Sequence, residues 1–372
     1  MITGTEYGML IEQLSFEAVV SDLLTPNQQS LALNLDSFAT SVQAVDLFDA
    51  LNMLPAEQLP DAYGSLSGEQ HTHTLPQVAR ASHQFTRIIG EQLTKPSRTV
   101  WLRGISGLGD IDSDGKASKA KHKSHGVVLG YDSEMQDGLL AGVAFGYTYS
   151  NVDMHAGGTG IDSYQLAAYS RKQWTDNYLN TIFGIGHHNV NSTREVQFTG
   201  FSGAAKAEYN IDALGLSLEV GRHYTLSDNQ RVTPYAGLEY GHYRQNGFTE
   251  TGAVDANLTY GNDRMNSLRS VLGARMSSEL KSSGGMQFDT TLGLSWVHEH
   301  LYREASLNPA FAVSGDVPFN IKGPATDRNR ARTLLGVSAH LSKYSQLDLE
   351  YRGEFADSDR QHAIAATFRM MW

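Results

Sequence analysis

Cysteine is missing from all 372 residues, so neither disulfides nor thiol chemistry hold this chain together. Proline is scarce, at 9 residues. Long hydrophobic runs are missing too, and nothing approaches the roughly 20 apolar residues of a transmembrane helix. Hydrophobic residues make up 40% of the chain and the mean hydropathy is −0.34. These values exclude a helical membrane protein but not a β-barrel, whose strands are apolar on one face only. Basic residues are outnumbered, 29 Lys and Arg against 40 Asp and Glu, and the net charge of −11 argues against a nucleic-acid partner. Met1–Leu10 has neither the basic start nor the apolar core of a cleavable secretion signal. If the protein leaves the cytoplasm, this sequence is expected to be a fragment or to lack its true start.

Motifs that would carry chemistry fail on spacing. Asp110, Asp112, Asp114 and Gly115 imitate the start of a calcium loop, but Lys121 stands where the bidentate Glu belongs. His298-Glu299 would need a second histidine where Tyr302 lies. The pairs His71/His73, His122/His125 and His187/His188 lack Cys or carboxylates at ligand spacing, and Gly64–Gly68 lacks the spacing of a nucleophile elbow. No catalytic, cofactor-binding or metal-ligating set is expected.

What is present falls into two registers. Residues 1–23 show no single period. Thr25-Pro26 then suits a helix start, and Leu31, Leu35, Phe38, Val42, Val45, Phe48 and Leu51 follow at helical spacing to Leu54-Pro55. A short helix follows at Ala56–Leu59. A third helix is expected over Pro76–Leu93, closed by Lys95-Pro96, with Arg80, Gln84, Arg87 and Glu91 on one face.

After Pro96 the period becomes two. Leu139, Ala141, Val143, Phe145, Tyr147 and Tyr149 alternate with small or polar residues, and the format recurs down the chain. About twelve strands are expected, at 98–106, 123–133, 138–150, 161–173, 177–191, 206–225, 231–247, 265–280, 286–303, 330–343, 346–356 and 360–372. Short connections are read at Ser133–Asp137, Trp174–Asp176, Ser227–Gln230, Lys281–Gly285, Tyr344–Ser345 and Ala356–Asp359. Long ones are read at Gly107–His122, Asn151–Gly160, Ser192–Ala205, Glu250–Arg264 and Ala305–Asn329. Short turns on one side and long loops on the other describe an all-β, antiparallel, up-and-down transmembrane barrel. The second alternate set carries Glu219, Glu239, Arg269, Arg275, Asp289, Glu350, Arg352 and Glu354. A lipid-facing Arg or Lys costs about 2–4 kcal/mol near the midplane, so this set faces a polar lumen. The chain closes on Ile364, Ala366, Phe368, Met370 and Trp372, a greasy row that in water would invite aggregation.

Several stretches together resemble the translocator β-domain of the monomeric, type V autotransporters, over residues 98–372. They are Val100-Trp101-Leu102-Arg103-Gly104, Gly126-Val127-Val128-Leu129-Gly130-Tyr131, Gly142-Val143-Ala144-Phe145-Gly146-Tyr147, Thr193-Arg194-Glu195-Val196, Thr233-Pro234-Tyr235-Ala236-Gly237-Leu238, Trp296-Val297-His298-Glu299 and the terminal Phe368–Trp372. Thr25-Pro26-Asn27-Gln28 through Leu59-Pro60, with Leu66-Ser67-Gly68-Glu69, resembles the connector that precedes such barrels. The resemblance implies a twelve-stranded barrel in the outer membrane of a Gram-negative bacterium, threaded by a helix, monomeric, without cofactor or enzyme activity, exporting its own passenger. Residues 1–23 then read as the remnant of a passenger end, 24–95 as connector and plug, and 96–372 as the barrel. Arg80 and Arg87 are expected to pair with lumenal Glu219, Glu239 or Glu350. Ile364, Ala366, Phe368, Met370 and Trp372 are expected to form the signal read by the barrel-assembly machinery through strand pairing. The competing readings are a passive outer-membrane channel, which needs an open lumen, and a barrel hydrolase with catalytic residues in its long loops.

Overall fold

The computed structural model describes residues 15–17, 20–38, 44–94, 98–281, 287–314 and 317–371. Residues 1–14, Val42, Lys95-Pro96, most of the Lys281–Gly285 turn and Trp372 lie outside the described residues.

Twelve barrel strands appear among the described residues: β1 Thr99–Ile111, β2 Ala120–Gln136, β3 Leu139–Met154, β4 Gly157–Trp174, β5 Asn177–Phe198, β6 Phe201–Arg222, β7 Gln230–Gln245, β8 Asp263–Lys281, β9 Gln287–Glu299, β10 Asn329–Ser342, β11 Ser345–Phe355 and β12 Asp359–Met371. Tyr224–Ser227 prolongs β6 past His223, still paired with β7. Each strand pairs antiparallel with its sequence neighbours, and β12 returns to β1, from Thr99 opposite Met371 to Ile111 opposite Asp359. Closure leaves no backbone edge in lipid. No helix among the described residues is long and apolar enough to cross a membrane.

Alternation sorts the faces as expected. Leu129, Phe145, Leu166, Ile185, Leu238, Leu294, Leu335, Leu349 and Phe368 are exposed on the outside. Arg103, Arg171, Arg332, Arg352 and Arg369 are buried on the inside. Large lumenal aromatics lie across glycines of the next strand. A Cβ on Gly130 would sit 2.3 Å from the Trp101 ring, and one on Gly142 would sit 2.4 Å from the Tyr169 ring. Only glycine permits that approach.

Two expectations about connections are corrected. The strands overrun their expected ends, β5 and β6 reaching 22 residues each, so the loops read at Asn151–Gly160 and Ser192–Ala205 are mostly paired strand. Above the lipid a strand no longer needs an apolar row outside, so the alternation fades while the pairing continues. The brief Ala356–Asp359 connection also lies on the long-loop side, because Asp359 is level with Ile111, at the upper end of β1.

The front of the chain forms helices α1 Pro26–Phe38, α2 Val45–Asn52, α3 Leu59–Leu66 and α4 Thr74–Gln92. α1 starts with a capping box: Thr25 N–H donates to Gln28 Oε1 (2.8 Å) and Gln28 N–H to Thr25 Oγ1 (3.4 Å). The single long helix expected through Leu51 is instead two, since Ala44 has non-helical dihedrals before α2. α1–α3 sit on the long-loop end and share its core. Leu31, Leu35, Phe38, Phe48 and Leu66 pack with Val196, Tyr209, Phe248, Phe311 and Ile321. Asn27 completes the join, its Nδ2 donating to Lys322 O (2.8 Å) and its Oδ1 accepting from Lys322 N–H (2.9 Å).

Candidate functional site

α4 lies inside the barrel. Its 19 residues span about 28 Å at 1.5 Å per residue, close to the roughly 30 Å of bilayer hydrocarbon. It enters at the long-loop end and leaves at the short-turn end, where β1 begins. The helix has two chemically distinct sides. Phe85, Ile88, Ile89 and Leu93 pack on Val128, Ala144, Ala167 and Ile182 of β2–β5. Arg80, His83, Arg87 and Glu91 face the charged wall made by β7–β12 and β1.

The contacts descend the lumen in order. Arg80 makes a two-pronged pair with Asp359, at 3.0 and 2.7 Å, which Arg330 also reaches at 2.5 Å. His83 Nδ1 lies 3.6 Å from Glu239. Arg87 donates to the Thr333 carbonyl (3.3 Å) and lies 3.5 Å from Glu91 and 3.9 Å from Glu354. Glu91 accepts from Arg352 and lies 3.4 Å from Arg103. At the bottom, Arg369 Nε donates to Gln92 Oε1 (2.7 Å), while Gln92 Nε2 donates to Thr99 Oγ1 (3.1 Å) and Asp132 (3.2 Å). Arg171 donates to the Leu93 carbonyl (2.7 Å), placing a cation at the helix C-terminus, where the dipole favours one.

The expected partners of Arg80 and Arg87 are therefore corrected. Glu219 is held by Arg275 (2.7 Å) and Tyr178 (2.9 Å). Glu350 is held by Arg103 and Arg352. Glu239 does meet α4, but through His83, and its main partner is Arg332 (2.8 Å). Which acid stands level with which helical residue depends on strand tilt and stagger, and a one-dimensional pattern does not carry those. Sequence reasoning also missed Asp359, Arg332 and Glu91 as members of this network. Glu91 was visible on the polar face of the helix, and its charge opposite to Arg87 was the available signal.

Among the described residues, two crevices of about 60 Å³ each lie around α4 in the lumen, each with room for a few waters. One lies between α4 and β10–β12 with β1, β2 and β8, the other between α4 and β5–β10. At the long-loop end a second buried cluster fastens the helical cap. Arg194 pairs with Glu250 and donates to the carbonyls of Ser65 and Ala256, both at 2.8 Å. His71 lies 3.1 Å from both Glu250 and the Tyr209 hydroxyl. Burial alone would raise the Glu250 carboxyl, but Arg194 and His71 outweigh it and hold it at about 2.

The motifs dismissed on spacing have structural occupations. Asp114 accepts backbone N–H groups from Lys116, Ala117 and Ala325. Glu299 faces inward to Ser267 and Arg269, while His298 faces outward to Asn329. On the terminal strand, Ile364, Phe368 and Met370 are exposed on the lipid side, while Arg369 is buried against Asp348. Ala366 lies in the same outward row.

Comparison with known proteins agrees with this geometry. The sequence model of the autotransporter β-domain matches residues 100–352. An extracellular serine protease of Serratia marcescens is 26% identical over 330 residues, covering 85% of this chain but 31% of its own length. Outer membrane protein B of Rickettsia prowazekii is 27% identical over 190 residues, covering 48% of this chain and 11% of its own. This chain thus spans less than a third of these relatives. The translocator domain of the autotransporter NalP from Neisseria meningitidis superposes with a TM-score of 0.66 at 16% identity, covering 81% of this chain and 99% of that one. The β-domain of the Bordetella autotransporter BrkA superposes with a TM-score of 0.52 at 19% identity, covering 74% and 100%.

Proposed function

The chain belongs to the autotransporter β-domain family and is an outer-membrane translocator, and from that premise we propose how it holds and exports its passenger. The single observation that carries the reading is the course of α4 through a closed barrel. Residues 24–95 serve as connector and plug, and residues 96–372 as the barrel. Phe16 and Val20, just before α1, pack into the core at the long-loop end, which on this reading is the cell surface. The helix marks the track a passenger takes, and its present position is the state after passage. The barrel acts as a monomer and without covalent chemistry. Its lumenal acids serve as partners for guanidinium groups, as Glu91, Glu219 and Glu354 do. The outward row Ile364, Ala366, Phe368 and Met370, with Trp372, is the address read by the barrel-assembly machinery.

The test is topological. The chain is expressed behind a secretion signal and an epitope-tagged passenger, and intact cells are treated with protease. The tag should be cleaved from outside while the barrel stays protected. A tag reached only after the outer membrane is opened would overturn the reading.

A further inference from the structure

The outer wall over β7–β9 turns from apolar to polar and basic toward the long-loop end. The outward row of β7 runs Leu238, Tyr240, His242, Arg244, and that of β9 runs Leu292, Leu294, Trp296, His298, followed by His300. The outward row of β8 runs Leu272, Ser270, Leu268, Asn266, Arg264. On β7 an aliphatic side chain gives way to an aromatic ring, then imidazole, then guanidinium; β9 follows that order as far as imidazole, and β8 passes from aliphatic through amide to guanidinium. A phosphate-bearing lipid presents the complementary order: acyl chain, polar interface, anionic headgroup.

Arg244 and Arg264 are directly opposite each other in the register. Like charges so placed on one face, with Cβ atoms roughly 4.5–5.5 Å apart, destabilise a sheet unless an anion lies between them. Asp212 is the in-register neighbour of Arg244 on β6, and it is engaged by His187 at 2.8 Å. Tyr240 and His242 share Asn266 as a hydrogen-bond partner, and His298 and Trp296 share Asn329, so the belt below the arginines is already ordered. Beside Arg264 an open hollow of about 470 Å³ reaches Arg303, with Asp263 and Glu304 also on its wall. Glu304 is taken up by Lys116 (3.1 Å) and Lys322 (3.2 Å).

We propose that Arg244 and Arg264, above the Tyr240–His242 and Trp296–His298 belt, form a docking site for the phosphate of an anionic glycolipid in the surface leaflet. The acyl chains run down the Leu214, Leu238, Leu272 and Leu294 rows, and the phosphate sits between the guanidiniums. The site orients the barrel in the leaflet into which its long-loop end opens. It rests on the outer-membrane reading, but lipid retention can fail while surface display of the passenger succeeds, so the two are separately testable.

The test uses the full chain in nanodiscs of neutral phosphatidylcholine doped with bisphosphorylated lipid A or with its dephosphorylated form. Lipid retained after detergent extraction is read by native mass spectrometry. The wild type should retain the phosphorylated form preferentially. The double variant R244Q/R264Q should retain it roughly thirtyfold less, from about 1 kcal/mol per cation near an anionic surface. Arg231→Gln, at the short-turn end, should change nothing. The heat-modifiable folded band on a gel confirms that each variant is assembled. Equal retention by the folded double variant, or of both lipid forms by the wild type, overturns the proposal. Displacement of the glycolipid by millimolar inorganic phosphate would also overturn it, by making the site one for a soluble anion.

Discussion

His73 stands in the tight turn just before α4, buried, with its Nε2 lacking a hydrogen-bond partner. Burial, with Arg80 nearby, pushes its imidazole down to about 4 from an ordinary 6.5. The group is therefore neutral when folded. Above pH 6.5 both folded and unfolded forms are neutral and its contribution is complete. As the pH falls from 6.5 to 4 the unfolded chain takes up a proton that the folded one does not, and up to about 3 kcal/mol of local stability is lost. Glu250, held at about 2, loses its contribution only further down, as the pH falls from about 4.5 toward 2. Protease cleavage within residues 26–73 of the assembled protein should thus rise between pH 6.5 and 4. His73→Gln should remove part of that rise, the rest falling to His122, which burial and Arg80 push down to about 3, and an unchanged profile in the variant would assign the opening to other groups. None of this could be read in the sequence, where His71 and His73 look alike. His71 meets Glu250, whereas His73 is buried beside Arg80, near Tyr302 and Arg330, and these neighbours come together only in the folded barrel.

The strands were the more legible level. Their number, their order of pairing and most of their faces follow from a period of two, less clean on the fifth and eighth strands, because lipid on one side and water on the other enforce it. Their lengths do not follow, since pairing continues above the bilayer where that enforcement stops. The terminal strand raises a question alternation alone leaves open: whether Phe368 is greasy because lipid requires it or because an assembly partner reads it. Leu349 is a fitting comparison, exposed in the same belt on β11 and in register with Ala366 of the terminal strand. Phe368→Asp and Leu349→Asp each put a carboxylate in the lipid face, at a cost below the roughly 2–4 kcal/mol of a midplane Arg or Lys. If the terminal strand is an address, Phe368→Asp should leave several times less folded barrel in the outer membrane than Leu349→Asp, although both refold alike in detergent. Equal losses would mean lipid compatibility alone is at stake.

A closed wall with a polar interior, preceded by a helix of matching length, could be anticipated for the whole molecule. How tightly the helix fills the wall could not, because the fit depends on pairs such as Arg80–Asp359 and Glu91–Arg352 that tilt and stagger bring together. On the proposed plug reading, those pairs hold the helix in the lumen. Removing one partner of a buried ion pair costs about 3–5 kcal/mol by stranding the other charge, whereas the intact pair adds little net stability. The network therefore acts mainly to fix where the helix sits, with the Phe85–Ile89 side supplying the adhesion. A cut at residues 70–95 alone would drag the cap across the pore, since Glu69 lies at the long-loop end and Thr99 at the short-turn end. Beginning the chain at residue 96 avoids this. In planar bilayers that barrel should conduct steadily and far above the full chain, because the space left by a helix about 10 Å wide is many times the two crevices beside it. A full-length Arg80→Ala, Glu91→Ala variant should open only intermittently, its apolar side still attached. If both conduct no more than the intact protein, the pore is closed by its own loops and α4 is a tether rather than a plug.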